Sequence, residues 1–247
     1  LGTFNIGTDG IWTYSVDNSL SEVQNFSADN NGVETFTAMT EAGTIQEVSV
    51  TILGMNEPIE LSDIETTASS GGFVIKGNSS SEQSGRSVSN AGDVNGDGLD
   101  DVIIGAHRSN LGDTDAGASY VVFGQEDGTP VELSNLGALG TAGFIILGGA
   151  ADDNAGLSVS GAGDINGDGF DDLIIGAPVA SPNGTWSGSS YVIYGKNNTN
   201  TVDISVIATD GDTDGFAIEG MTAGDFVGQS VSDAGDCNGD GYDDLIV

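Results

Sequence analysis

The nine residues from Asp93 to Asp101 read Asp-Val-Asn-Gly-Asp-Gly-Leu-Asp-Asp and place carboxylates at 93, 97, 100 and 101. Carboxylates crowded this closely repel one another unless something positive sits between them. Counting Asp93 as position 1, side-chain oxygens fall at positions 1, 3, 5 and 9, on Asp93, Asn95, Asp97 and Asp101, and Gly98 falls at position 6, where a tightly wound loop must turn. Leu99, at position 7, offers only its backbone carbonyl. Every donor is oxygen, with no His or Cys among them, and about six to eight oxygen ligands describe Ca2+ better than Mg2+ or Zn2+.

The loop recurs twice. Asp164, Asn166, Asp168, Phe170 and Asp172 repeat the donor set, as do Asp236, Asn238, Asp240, Tyr242 and Asp244, with first aspartates 71 and then 72 residues apart. A helix-loop-helix calcium hand needs a bidentate Glu at position 12, but that position holds Ile104, Ile175 and Val247, inside apolar runs, so the helical hand is excluded. A single such string also reads as a metal-free Asx-rich turn. Three copies in register, each with its position-9 aspartate, favour the metal.

The elements that must hold these loops repeat with them. "GFVIKG", "GFIILG" and "GFAIEG" begin at Gly72, Gly143 and Gly215, "SVS" recurs at Ser87, Ser158 and Ser230, and "SYVVFG" and "SYVIYG" end at Gly124 and Gly195. "IELS", "VELS" and "VDIS" at Ile59, Val131 and Val202 open the units. Each repeat offers about four short β-branched or aromatic runs between Gly, Asn, Asp and Ser clusters, which predicts strands joined by turns. In the first repeat they lie near 73–76, 86–89, 101–104 and 119–123. Helical spacing is nowhere sustained, so the expectation is an all-β array with one four-stranded sheet per repeat, a β-propeller, the acidic loop joining the second and third strands.

Charge narrows the partners. The 247 residues carry 38 acidic against 4 basic side chains, a formal net charge of -34, which disfavours nucleic acid and anionic membranes and favours cations. The three loops hold only twelve of the carboxylates, so the excess also suits a solvated surface in salty, calcium-containing surroundings. No apolar run approaches the ~20 residues of a membrane span. Cys237 is the single cysteine, so no intrachain disulfide is expected.

An apolar strand, an Asp-x-Asn-Gly-Asp-Gly-x-x-Asp loop and then "LIIGAP" resembles the FG-GAP repeat of the integrin α-subunit propeller and its bacterial relatives, with Phe123-Gly124 and Gly176-Ala177-Pro178 as the name-giving residues. The resemblance covers 59–247, divided as 59–130, 131–201 and 202–247, the last stopping before its final strand. It departs where His107 stands for Pro178 and Tyr194 for the Phe before Gly195. It implies a propeller of usually seven blades, of which this chain holds a part. It also implies calcium loops on one rim and partner-binding loops on the other, here 77–85, 106–118, 148–156 and 177–190.

Residues 1–58 lack the acidic loop. "GTFNIGTDGIWTYSVDNS" and "ETFTAMTEAGTIQEVSVTILGMNEP" look like part of a VCBS or cadherin-like β-sandwich of bacterial adhesins, with Asn56-Glu57-Pro58 as the boundary. Alternation in "TIQEVSVTIL" independently predicts a half-buried strand.

The remaining residues have plain readings. Cys237 occupies the slot of Val94 and Ile165 and reads as a small buried hydrophobe. His107 has no second His, and no acid–base pair stands outside the loops, so the chain is not expected to be an enzyme. Trp186, in "SPNGTWSGSS", suits either sugar or protein contact or the covering of a blade edge, and Asn78, Asn183 and Asn197 begin glycosylation sequons relevant only to a eukaryotic secretory route. The expected function is a calcium-binding, secreted or cell-surface module, bacterial by its domain partner. It acts in adhesion or recognition on a protein or glycan ligand; a spacer, or an accessory domain of a secreted hydrolase, is the alternative.

Overall fold

The computed structural model describes residues 2–6, 12–16, 32–39, 45–52, 72–137, 142–210 and 214–247. The chain divides into two compact units, Leu1–Ile64 and Glu65–Val247. The expected boundary at 56–58 lies outside the described residues.

The first unit contains two antiparallel hairpins. β1 (Gly2–Ile6) pairs with β2 (Trp12–Val16), Gly2 opposite Val16, and β3 (Gly32–Met39) pairs with β4 (Ile45–Ile52), Gly32 opposite Ile52. The strand expected from the alternation in 44–53 is β4.

In the second unit β5 (Ile75–Lys76) precedes β6 (Ser87–Gly92), β7 (Asp101–Ala106), β8 (Ala118–Val122) and β9 (Val131–Glu132). β10 (Gly143–Leu147), β11 (Ser158–Gly163), β12 (Asp172–Ala177), β13 (Ser189–Ile193) and β14 (Val202–Asp203) follow. After α1 (Ile204–Asp210) come β15 (Gly215–Glu219), β16 (Ser232–Gly235) and β17 (Asp244–Ile246). One sheet runs β14-β10-β8-β7-β6 and the next β11-β12-β13-β15, while β16 and β17 form a further pair. The architecture is all-β, a partial propeller of meandering sheets.

Two expectations are corrected here. Repeat and sheet are out of phase by one strand: β10, from the second repeat's "GFIILG", pairs antiparallel with β8 of the first, Gly143 opposite Val122, and β15 pairs likewise with β13. The acidic loops therefore join the first and second strands of each sheet, β6 to β7 and β11 to β12, rather than the second and third. The loop-linked pair and "SYVVFG" form a three-stranded meander, β6-β7-β8, and its β8 edge is taken by the next repeat's β10 rather than by "GFVIKG" of the same repeat. β5 instead pairs in parallel with β9. The second correction is α1, whose seven residues are too few to show helical periodicity; it packs Ile204 and Ile207 into the core.

Period-2 alternation sorts the apolar residues into stacked layers. Ile103, Val121, Phe144 and Ile146 face Leu173, Ile175, Tyr191 and Ile193 of the next sheet in one cluster. Ile104, Tyr120 and Val122 point the opposite way, toward Val131, Leu133 and Phe73. Ile174 and Val192 meet Val231 on the far side of the second sheet. Covered on both faces, β8 and β13 are buried along their whole length. Each fully buried Leu or Ile stabilises the stack by about 1.5–3 kcal/mol. The first strands also meet: Ser87 Oγ accepts the N–H of Val159 at 3.0 Å, and Ser158 Oγ that of Val231 at 3.1 Å, which gives the recurring "SVS" its structural role.

Candidate metal centre

Each acidic loop is organised around its first aspartate. Asp93 Oδ1 accepts the N–H groups of Gly96 at 2.8 Å and Asp97 at 2.9 Å, and its Oδ2 accepts that of Gly98 at 2.9 Å. Asp164 does the same with Gly167, Asp168 and Gly169, and Asp236 with Gly239, Asp240 and Gly241. These donors, Gly241 foremost, hold the Asp236 carboxyl below its ordinary range. Gly98 sits at φ 90°, a conformation that side chains resist, which is why position 6 is glycine in all three loops.

Positions 3 and 5 close the turn. Asn95 Oδ1 accepts the N–H of Asp97 at 2.8 Å, Asn95 Nδ2 donates to Asp97 Oδ2 at 2.9 Å, and Asp97 Oδ1 accepts the N–H of Leu99 at 2.9 Å. Asn166, Asp168 and Phe170 repeat the same three contacts. In the third loop Asp240 again accepts from Tyr242, but the Asn238 amide donates to Asp244 Oδ1 instead, at 3.2 Å.

The position-9 aspartate anchors the loop to its sheet. Asp101, fully buried, accepts the N–H of Val94 at 3.0 Å and of Gly124 at 2.8 Å; Asp172 accepts those of Ile165 at 3.1 Å and Gly195 at 2.8 Å. Burial pushes both carboxyls up to about 6, against the lowering pull of the N–H groups. Asp244 accepts the N–H of Cys237 at 3.0 Å. The glycine of each Phe-Gly or Tyr-Gly pair touches the loop: a Cβ on Gly195 would lie 2.5 Å from the Asp171 carbonyl oxygen.

The fifteen sequence-predicted ligand positions lie in three corresponding loops, and in each the first aspartate gathers three backbone N–H groups. Among the described residues no group of three or more His, Cys, Asp or Glu side chains closes into a ready cage. The donor set nevertheless fits a hard cation: a carboxylate has about four acceptor sites, and the hydrogen bonds to Asp93 and Asp101 leave some of them open.

Three features were not legible as ligand chemistry. The position-8 aspartates Asp100, Asp171 and Asp243 have no place in the ligand numbering, although their recurrence marks them; Asp171 Oδ2 accepts the N–H of Asp93, in the preceding loop, at 2.7 Å. Glu82, buried, accepts the Tyr120 hydroxyl at 3.0 Å and the Asn78 amide at 2.9 Å. Trp186 and Phe226 lie with ring centroids 5.9 Å apart, both at positive φ, beside a groove of about 510 Å³ lined by Asp152, Asp153, Tyr191 and Glu219. Trp186 is 51% exposed.

His107 is buried, and burial, then Arg86 and Arg108, lowers its pKa. Cys237 is corrected: it is exposed. Val94 is covered by the segment after β13, where Lys196 N–H donates to its carbonyl at 2.8 Å, and among the described residues no such segment covers Cys237.

Residues 84–122 and 155–193 match the FG-GAP repeat. Each match runs from just before the first strand of a sheet, through the acidic loop, to the end of the third. The chain is 31% identical to integrin alpha-6 of Gallus gallus over 162 residues, 63% of this chain and 12% of that protein. It is 35% identical to integrin alpha-PS2 of Drosophila melanogaster over 129 residues, 50% of this chain and 8% of that protein. It is also 33% identical to the phosphatidylinositol-glycan-specific phospholipase D of Mus musculus over 146 residues, 52% of this chain and 17% of that protein. The chain therefore spans under a fifth of each of these relatives. The two matched segments each supply the first three strands of a sheet in a partial propeller similar to the FG-GAP repeats of integrin α-subunits.

Proposed function

We propose that the second unit is a calcium-stabilised recognition module of a larger secreted or cell-surface protein. The observation that carries the reading is the threefold recurrence of one oxygen-lined loop at the same point of each sheet, in repeats that resemble integrin α-subunits. Asp93, Asn95, Asp97 and Asp101 with the Leu99 carbonyl would hold Ca2+ in the first loop, and their counterparts in the other two. The ion supplies positive charge and a common centre for oxygens that otherwise repel. Asp101 and Asp172 tie that centre to the sheets, so loop order and sheet order rise together.

Recognition belongs to the opposite end of the strands, in the loops after β7 and β12. At that end Trp186, in the loop after β12, and Phe226, in the loop between β15 and β16, offer an exposed aromatic surface next to a groove, suited to a protein or glycan ligand. The first unit, with its two hairpins, is read as part of a VCBS or cadherin-like module, consistent with an extracellular, bacterial setting. Among the described residues no helix is long and apolar enough to cross a membrane. The similarity to a phospholipase D favours a second reading, a non-catalytic accessory module attached to a hydrolase.

The test is a melting curve in EDTA, in millimolar Ca2+ and in Mg2+, for the chain and for a variant carrying Asp97→Ala, Asp168→Ala and Asp240→Ala. A rise in Tm with Ca2+ that the variant loses supports the reading, and no rise in either protein overturns it.

A further inference from the structure

Successive acidic loops are joined to one another as well as to their own sheets. Asp171, at position 8 of the second loop, accepts the N–H of Asp93, position 1 of the first, at 2.7 Å, and Asp171 N–H donates back to the Asp93 carbonyl at 3.2 Å. The approach leaves no spare room: a Cβ on Gly92 would lie 2.1 Å from Asp171 Oδ2. Next to it the Phe170 ring covers the first loop, with Cε1 2.7 Å from where a Cβ on Gly96 would be. The close approach, though not the hydrogen-bonded pair, recurs one step along, where Asp243 Oδ2 would lie 1.8 Å from a Cβ on Gly163 and Tyr242 Cε1 2.9 Å from one on Gly167.

We infer that Asp171, at position 8 of the second loop, is a positioning residue for the cation site of the first loop, so that the two loops are linked in one direction. The inference rests on the calcium reading above. Asp171 orients the backbone that presents Asp93, the residue to which three N–H groups of the first loop converge, while contributing nothing to its own loop's donor set. Phe170 has a double part, since its carbonyl is a donor of the second loop and its ring packs on the first. Order in the second loop therefore favours order in the first, and a defect at Asp171 appears one loop upstream of the residue changed. Partners that hold a ligating carboxylate in place commonly alter metal affinity by about 10- to 100-fold when removed.

The experiment is a Ca2+ titration of the whole chain followed by NMR at two amides, Gly98 and Gly169, which donate to the first aspartates of their own loops. Asp171→Ala is expected to weaken Ca2+ binding at Gly98 by roughly tenfold and to leave Gly169 within about twofold. Asp171→Asn, which keeps an acceptor oxygen, is expected to recover most of the loss, and Asp100→Ala to leave Gly169 unchanged. Equal weakening at both amides, weakening only at Gly169, or no change at Gly98 overturns the inference. If neither amide of the unaltered chain responds to Ca2+, the calcium reading itself fails. The linkage is then decided by hydrogen exchange at the Asp93 amide in EDTA, where Asp171→Ala must raise the rate several-fold and an unchanged rate overturns it.

Discussion

Asp172 and Gly195, 23 residues apart in the chain, are joined by a 2.8 Å hydrogen bond from the glycine N–H to the carboxylate. Because the other carboxylate oxygen accepts from Ile165, this one buried side chain holds the acidic loop and the end of β13 together. Removing it strands two backbone donors. Asp172→Ala is expected to cost about 2–4 kcal/mol in urea unfolding, and Asp172→Asn, which keeps one acceptor, about half of that. A cost below about 0.5 kcal/mol for the alanine variant would show that the anchor is dispensable.

The same carboxylates set a pH dependence. Burial raises Asp101 and Asp172 from 3.8 to about 6, so the native state holds protons that the unfolded chain has already released. Their contribution is therefore full below about pH 4 and is lost as the pH rises toward about 6. In EDTA, Tm is expected to fall across that window, and the double variant Asp101→Asn, Asp172→Asn to lose this part of the slope. Saturating Ca2+, which selects the ionised form, is expected to flatten it. An identical slope in the double variant would sink the assignment.

At the other end of the strands, Trp186 and Phe226 adopt φ 58° and 54°, where bulky side chains are rare. The equivalent positions between the first two sheets hold Asp115 and Asn154, at φ 46° and 57°. Trp186→Asp with Phe226→Asn is expected to leave stability within about 1 kcal/mol of the parent, or slightly above it, because Asn and Asp tolerate this conformation. Binding to any ligand recognised by this surface should be lost. A protein that folds as well and binds unchanged would place recognition elsewhere.

Between the sheets, Leu173 is fully buried among residues of both. Leu173→Ala is expected to destabilise the second unit by about 2–5 kcal/mol, measured by chemical denaturation. A loss under about 1 kcal/mol would mean that the two sheets do not share a tight core.

How much of this was legible in the sequence depends on which interaction leaves a pattern. The turn geometry of the loops was, because a tight turn gathered on one carboxylate needs Asp and Asn at fixed spacing and glycine at the bend, and these recur from Asp93 to Asp244. The strands were, because β-branched runs alternate between two faces. The phase of the sheets was not: antiparallel pairing of β10 with β8 joins different repeats, and a periodic sequence reads the same wherever each period is cut. Nor was the exposure of Cys237, since its slot is buried at Val94 only through contact with the segment at Lys196. Asp171 was visible as a repeated residue, but its partner, Asp93, is fixed only by how the sheets stack.

The one-strand offset between repeat and sheet makes this array a lap joint, like staggered brickwork. Every repeat completes the sheet of its predecessor and leaves its own to be completed by its successor. The seam between one repeat and the next is closed by the antiparallel pairing of β10 with β8 and of β15 with β13. For protein engineering the unit to excise is different from the one the sequence suggests: a segment from Ser87 to Leu147 carries the four antiparallel strands β6, β7, β8 and β10, whereas one ending at Pro130 discards β10, which covers the edge of β8.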